Sequence, residues 1–150
     1  MSTVSERLAE LRIDLPEVAA PVAAYVPAIR TGNQVWTSGQ LPFVDGQLAA
    51  TGKVGEGVPE EDAARLARTA TLNGLAAIDG IDKVTRVLKI VGYVASAPGF
   101  SAQPAVVNGA SNLMGEIFGE AGEHARSAVG VAELPLGAPV EVELIVEVAD

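Results

Sequence analysis

Near its C-terminus the chain alternates between aliphatic and mostly acidic side chains, and this pattern is typical of a half-buried β-strand. Residues 139–149 place five aliphatic side chains on one face, namely Val140, Val142, Leu144, Val146 and Val148. Glu141, Glu143 and Glu147 share the other face. Because successive side chains of a strand point to opposite sides of a sheet, one side of this strand must be covered by other elements.

The rest of the chain predicts four more strands and three helices. Turn residues 31–33 separate two extended runs and predict a hairpin, and Pro59 followed by three acidic residues predicts the start of the longest helix. The predicted strands cover residues 25–31, 34–38, 84–94, 126–132 and 139–149. The predicted helices cover residues 2–14 (N-cap Ser2 or Thr3), 59–80 and 101–118 (N-cap Ser101), and the glycine-rich residues 46–58 predict an exposed loop.

This order of elements predicts an α+β fold. The core order is β-β-α-β-α-β-β, with a mixed sheet and two helices packed on one face. Residues 84–94 are apolar on both faces, which predicts a central strand whose uncovered side meets another subunit. Tyr93 of this strand is expected in the core. Trp36 is expected in the core or at that interface. We expect residues 1–150 to form a single domain, with residues 1–20 as an N-terminal helical extension.

Composition excludes several kinds of function. The chain has no cysteine and a single histidine, so disulfides and thiolate chemistry are excluded and no metal site is expected. A net charge of −9 with ten dispersed cations argues against nucleic acid as a partner. No apolar run is long enough to span a bilayer and no secretory signal is visible, so we expect a cytoplasmic protein without membrane contact.

A few polar residues are candidates for chemistry. The glutamates of the last strand form either a solvated face or a face with one carboxylate that works as an acid or base in a cleft. Arg126 lies one strand earlier, and we expect neighbouring antiparallel strands to bring it into the same cleft. His124 is interpreted as a loop residue, with a general base as the alternative. Ser38 lacks a nearby histidine or aspartate in the sequence, which disfavours a nucleophile.

Several segments, taken together, resemble the Rid family, also called the YjgF/YER057c/UK114 family. In the first half of the chain they are Tyr25-Val26, Gly32 and the run VWTSGQLP at residues 35–42, which is similar to the family's hydrophobic-x-SGQ-x-P signature. The helix that contains Asn73 is similar to the family's helix after its glycine-rich loop. Asn108 stands where the family carries an asparagine.

The C-terminal part carries the strongest resemblance. Residues 125–131 read ARSAVGV, Leu134-Pro135 follows, and residues 140–143 read VEVE. The family has the same order of arginine-serine, valines, Leu-Pro and a final glutamate, and the spacing from Arg126 to Glu141 fits without a gap. The resemblance covers about residues 25–148.

The resemblance implies a fold and an activity. Rid proteins have a chorismate-mutase-like fold and form homotrimers with clefts between subunits. Active members hydrolyse 2-imino acids, or their 2-enamine tautomers, to 2-keto acids and ammonia, and so protect enzymes that use pyridoxal phosphate. By this resemblance Arg126 binds the substrate carboxylate and Glu141 positions the attacking water, without a metal or organic cofactor.

The remaining expected site residues line the cleft. By the same resemblance Tyr25, Ser38 and Gly39 bind substrate, and Asn108 orders the wall. Many family members carry a cysteine where this chain has Ala128, and the loops at residues 43–58 and 95–104 depart from the family pattern. A non-catalytic trimer that binds small carboxylates is therefore the alternative function. A ribonuclease or a chorismate mutase is disfavoured, because the chain is acidic and lacks clustered cations.

Overall fold

The expected strands and helices are all present in a computed structural model, which describes residues 2–21 and 23–150. The helices are α1 (Val4–Glu10), α2 (Glu60–Ala76) and α3 (Gln103–Phe118). The strands are β1 (Ala28–Thr31), β2 (Gln34–Thr37), β3 (Phe43–Val44), β4 (Gln47–Leu48), β5 (Val84–Ala95), β6 (Ala125–Val131) and β7 (Val140–Val148). Short 3-10 turns cover Ile81–Lys83, Gly119–Gly122 and Pro135–Gly137.

Five strands form one mixed sheet in the order β1-β2-β7-β5-β6. Strands β5 and β6 pair in parallel, and every other neighbouring pair in this sheet is antiparallel. The α+β class and the order β-β-α-β-α-β-β are thus confirmed. The last strand, β7, lies in the middle of the sheet, and its residues alternate between buried and half-buried along its whole length.

Small residues let the helices lie close to the sheet and to each other, on one face as predicted. A Cβ placed at Gly92 of β5 would come within 2.5 Å of Val107 Cγ2 of α3. A Cβ placed at Gly109 of α3 would collide with the carbonyl oxygen of Ala64 in α2. These contacts produce a core of Ala, Val, Leu and Ile side chains between the sheet and the two long helices.

Some local predictions are wrong. Residues 46–58 are not simply an exposed loop, because Val54 and Val58 are buried in the core and β3 and β4 form a hairpin around Asp45-Gly46. The N-cap of α3 is Ala102 rather than Ser101, since the helix begins two residues later than expected. Helix α1 is capped by Thr3, whose side chain accepts a hydrogen bond from the Glu6 backbone.

The face of the sheet opposite the long helices, which we call the outer face, exposes large apolar side chains. Ile29, Trp36 and Val129 are 64%, 48% and 43% exposed. Trp36 therefore does not lie in the core of one chain. Of its two predicted positions, only the one at an interface between subunits remains as a prediction. Tyr93 also lies on the outer face rather than in the core, because it pairs across strands with Glu141. No helix in residues 2–21 and 23–150 combines the length and apolar character needed to cross a bilayer.

Candidate functional site

Arg126 lies at the edge of the sheet and points toward α3. It pairs with buried Ile90 of β5, so its side chain stands on the helix face. Its Nη1 donates to Asn108 Oδ1 at 2.8 Å and to Ser111 Oγ at 3.2 Å, and Nη2 lies 3.5 Å from the Pro104 carbonyl oxygen. Nη1 is saturated by these bonds, while Nε has no partner within the described residues. Nη2 carries a second N–H besides the one that contacts Pro104, so Nε and that N–H are the donors of the guanidinium that remain for a ligand.

Ser111 connects Arg126 to the one histidine of the chain. Ser111 and Asn108 are three residues apart and share one face of α3. Ser111 Oγ lies 2.8 Å from His124 Nε2, and His124 Nδ1 lies 2.5 Å from the Gly122 carbonyl oxygen. The 3-10 turn Gly119–Gly122 reverses the chain after α3, which brings His124 back beside that helix. His124 lies in the short loop between this turn and β6, as expected, and two hydrogen-bond contacts hold its ring there.

Glu141 lies on the outer face of β7 against Gly39. A Cβ at Gly39 would collide with Glu141 Oε2, so only glycine lets the carboxylate lie so close to this backbone. Burial of the carboxylate, with a smaller contribution from the negative charge of Glu143, raises the pKa of Glu141 above its usual value. A carboxylate with a raised pKa is better suited to accept and return a proton near neutral pH than an exposed one.

Tyr93 and Glu143 form a second polar pair on the outer face. Tyr93 Oη donates to Glu143 Oε1 at 2.8 Å. This hydrogen bond, together with burial and the nearby carboxylates, raises the pKa of Tyr93 to about 12. Tyr93 therefore remains a protonated donor that holds Glu143 beside Glu141.

The N-terminal candidate residues gather near Glu141. Tyr25 and Gly39 line one small cavity of about 30 Å³. Ser38 donates from Oγ to the Val26 carbonyl oxygen at 2.5 Å, which fixes the chain beside Tyr25. The Ser38 hydroxyl is thus committed to a backbone contact, and no histidine or carboxylate of the described residues forms a hydrogen bond with it.

The predicted site residues form two groups that do not meet within one chain. The Glu141 group contains Tyr25, Ser38, Gly39 and Glu141, and the Arg126 group contains Arg126 and Asn108. The expectation that adjacent strands bring Arg126 and Glu141 into one cleft is wrong for a single chain. Strand β5 lies between β6 and β7, because it pairs with both of them. The two side chains also stand on opposite faces of the sheet.

Each group has its own chemical capability. The Arg126 group offers a planar cation with N–H groups that are not used by Asn108, Ser111 or Pro104, which suits a carboxylate. The Glu141 group offers a proton acceptor in a partly desolvated position. Within residues 2–21 and 23–150, no three or more His, Asp or Glu side chains are placed to hold a metal ion.

Ser111 is the polar residue of this region that the sequence prediction missed. The sequence could have placed Ser111 beside Asn108, because the two are three residues apart on a predicted helix and residues so spaced share one helix face. The contact between Ser111 and His124 could not be predicted from the sequence, since the two residues are thirteen positions apart across a turn.

Comparison with known proteins agrees with this architecture. Residues 5–148 match the family model described as YjgF/chorismate mutase-like, a description that also carries an endoribonuclease label. Protein TCP17 of Trypanosoma cruzi is 43% identical over 149 residues, covering 96% of this chain and 93% of the relative. A 2-iminobutanoate/2-iminopropanoate deaminase of Dermatophagoides farinae is 34% identical over 134 residues, covering 89% and 93%.

A solved structure has the same fold as this chain. A crystal structure from Shewanella oneidensis superposes with a TM-score of 0.93 at 32% identity, covering 98% of this chain and 100% of the other. The fold and the two polar groups thus define a small α+β protein of the chorismate-mutase-like type. The chain belongs to the Rid (YjgF) family.

Proposed function

We propose that the protein hydrolyses 2-imino acids, or their 2-enamine tautomers, to 2-keto acids and ammonia. The observation that carries the proposal is the Arg126 guanidinium, which Asn108 and Ser111 hold through Nη1 while Nε keeps its N–H for a ligand. The 34% identity to a 2-iminobutanoate/2-iminopropanoate deaminase supports the same reaction.

Arg126 would bind the substrate carboxylate through two parallel N–H···O bonds. A 2-imino acid carries a planar carboxylate next to its C=N bond, and a guanidinium edge matches that carboxylate in plane. The bonds to Asn108 and Ser111 remove much of the rotational freedom of the Arg126 side chain. Less entropy is then lost on binding, and the imine carbon is presented in a defined orientation.

Glu141 would orient the water that attacks the imine carbon and accept its proton. The raised pKa of Glu141 allows it to pass that proton to the departing ammonia. General acid–base assistance of this kind accelerates a reaction by roughly 10²–10⁴-fold. Imines hydrolyse unaided, so this assistance is sufficient without a cofactor.

The two groups would meet between copies of the chain in a homotrimer. The Glu141 group lies on and beside the outer face, which exposes Ile29 and Trp36. Exposed apolar side chains of this size favour burial against another copy, although the same face also carries the glutamates of β7. Arg126 lies at the β6 edge, where a neighbouring copy could complete its group. In this arrangement one copy supplies Arg126 and its neighbour supplies Glu141.

The test is a coupled assay in which a threonine or serine dehydratase generates the imine and semicarbazide traps what has not hydrolysed. Wild-type protein should lower semicarbazone formation. Arg126→Ala and Arg126→Lys should both lose about 10–100-fold in kcat/KM, because lysine keeps the charge but lacks the bidentate edge. Arg65→Ala is the matched control, since the Arg65 side chain is 70% exposed on α2. Wild-type protein that leaves semicarbazone formation unchanged would refute the proposal.

A non-catalytic carboxylate binder is the second candidate function. It is favoured by the absence of a thiol at Ala128, next to Arg126 on the same face of β6. Calorimetric titration with 2-ketobutyrate distinguishes the two functions. Binding that depends on Arg126, without turnover in the coupled assay, supports the binder.

A further inference from the structure

We infer that Ser111 is an activated nucleophile and that, with His124 as its base, it cleaves activated esters of small acids that carry a free carboxylate. This activity is separate from imine hydrolysis, because it does not use Glu141. The residues that would carry it contact one another in a chain, namely His124, Ser111, Arg126 and Asn108.

The direction of each hydrogen bond around Ser111 can be deduced. The Gly122 carbonyl oxygen can only accept, so His124 Nδ1, 2.5 Å away, carries the proton. In the neutral imidazole His124 Nε2 then presents a lone pair. Ser111 Oγ, 2.8 Å from that nitrogen, donates its proton to it. A serine, a histidine in the correct tautomer and a backbone group that orients the ring therefore form one chain of contacts.

Arg126 strengthens Ser111 as a nucleophile from the other side. Its Nη1 donates to Ser111 Oγ at 3.2 Å. A cationic donor stabilises negative charge on that oxygen, while His124 is placed to remove the proton. Both neighbours thus favour the same change. Ser111 is half-buried rather than enclosed, so a substrate can reach it.

The neighbouring groups indicate the class of substrate. The N–H of Arg126 Nε and the second N–H of Nη2, beyond the one that contacts Pro104, suit a carboxylate on the substrate. Asn108 uses Oδ1 to accept from Arg126, and its Nδ2 has no partner within the described residues. That amide lies one helical turn from Ser111 and can donate to the oxyanion that forms on an attacked carbonyl. A single oxyanion donor contributes roughly 10²–10³-fold in rate.

The ester and water are the only reactants that this reaction needs. Ser111 Oγ bonds to the acyl carbon as its proton passes to His124 Nε2. The bond from the acyl carbon to the alcohol oxygen then breaks, and the alcohol leaves with the proton from His124. Water, deprotonated by His124, hydrolyses the acyl-serine to give a dicarboxylic acid and restores Ser111.

Ser38 differs from Ser111 in the group that its hydroxyl contacts. It lies in the family-like SGQ segment, but its hydroxyl donates to the Val26 carbonyl oxygen and no histidine lies beside it. The structure therefore distinguishes a serine held by backbone from one that contacts a base.

The test uses the whole protein with mono-p-nitrophenyl succinate, and with p-nitrophenyl butyrate as the analogue that lacks the free carboxylate. Wild type should hydrolyse the succinate ester with at least about tenfold higher kcat/KM than the butyrate ester. Ser111→Ala should abolish this activity, and His124→Gln should lower it by about 10²-fold. Ser127→Ala is the matched control, since Ser127 is exposed next to Arg126 on the opposite face of β6.

Labelling with a fluorophosphonate and peptide mass spectrometry gives an independent readout on wild-type protein. A covalent adduct on Ser111 supports the inference even if Ser111→Ala folds poorly. No adduct, an adduct on another residue, or full ester hydrolysis by a folded Ser111→Ala protein overturns it.

Discussion

Arg126 and Glu141 stand on opposite faces of the same sheet, with β5 between the strands that carry them. Arg126 contacts the helix α3, whereas Glu141 lies against Gly39 on the outer face. A substrate small enough to be a 2-imino acid cannot touch both residues of one chain. The proposed reaction therefore depends on two copies.

Mixed assemblies give a direct test of this dependence. Arg126→Ala and Glu141→Gln chains are co-expressed with different tags, and assemblies that contain both are isolated through the two tags. Each mixed ring of three has one interface with an intact Arg126 and an intact Glu141, so about one-third of wild-type turnover should return. Each variant alone should keep at most about one-tenth of wild-type turnover. Mixed assemblies as inactive as the single variants would show that the site does not form between copies.

Glu141 should be required for imine hydrolysis, whereas another glutamate on the same face of β7 should not. Glu141→Gln should lower kcat for imine hydrolysis by roughly 10²–10⁴-fold, because no base remains to take the proton of water. Glu147→Gln, on the same face of β7 but beside Thr85, should keep wild-type turnover. Equal activity in the two variants would exclude Glu141 as the base.

The raised pKa of Glu141 also predicts a dependence of stability on pH. Burial disfavours the charged carboxylate in the folded state, so its contribution is fully present below the usual value of 4.5 and is lost as the pH rises through the raised pKa. Wild type should therefore lose stability relative to Glu141→Gln as the pH rises from acid to neutral. Urea denaturation at several pH values measures the difference, and a constant difference would contradict the burial of this group.

A substitution at Trp36 tests whether the outer face is the surface through which copies of the chain associate. Trp36 pairs with Ile29 and Ile145 and is about half exposed in one chain. Trp36→Glu should weaken assembly by about 2 kcal/mol or more, as expected for an aromatic residue central to an interface. Light scattering over a dilution series measures this change. Val44→Glu is the control, because Val44 is 50% exposed on the β3–β4 hairpin. Similar assembly of both variants would place the interface elsewhere.

Two glycines of α3 test how closely the helices pack. Gly109→Ala should destabilise the fold by about 2 kcal/mol, since the added methyl meets the Ala64 carbonyl in the backbone of α2. Gly115→Ala should stabilise it by up to about 1 kcal/mol, because the added methyl meets nothing within 4 Å apart from the adjoining part of its own helix, and alanine favours a helix. Urea denaturation at fixed protein concentration compares them. A neutral Gly109→Ala would show that α2 and α3 can separate without cost.

Strands and helices were predictable because their patterns are local. The alternation along β7 indicates which side chains face the core, and the Thr31–Asn33 turn indicates the β1–β2 hairpin. The boundaries of α3 were less accurate, since Ser101 resembles an N-cap but the helix begins at Gln103. Tyr93 was expected in the core because apolar side chains surround it along β5, and its hydroxyl instead pairs with Glu143 on the outer face.

The sequence by itself determined the α+β class, the family, and the residue types that suit carboxylate binding and proton transfer. Periodicity and motif spacing are properties of neighbouring residues, so they can be read along the chain. Tertiary structure decided that β5 separates Arg126 from Glu141 and that the turn after α3 brings His124 to Ser111. Strand order and the return path of a turn depend on packing between distant segments, and no local pattern records them.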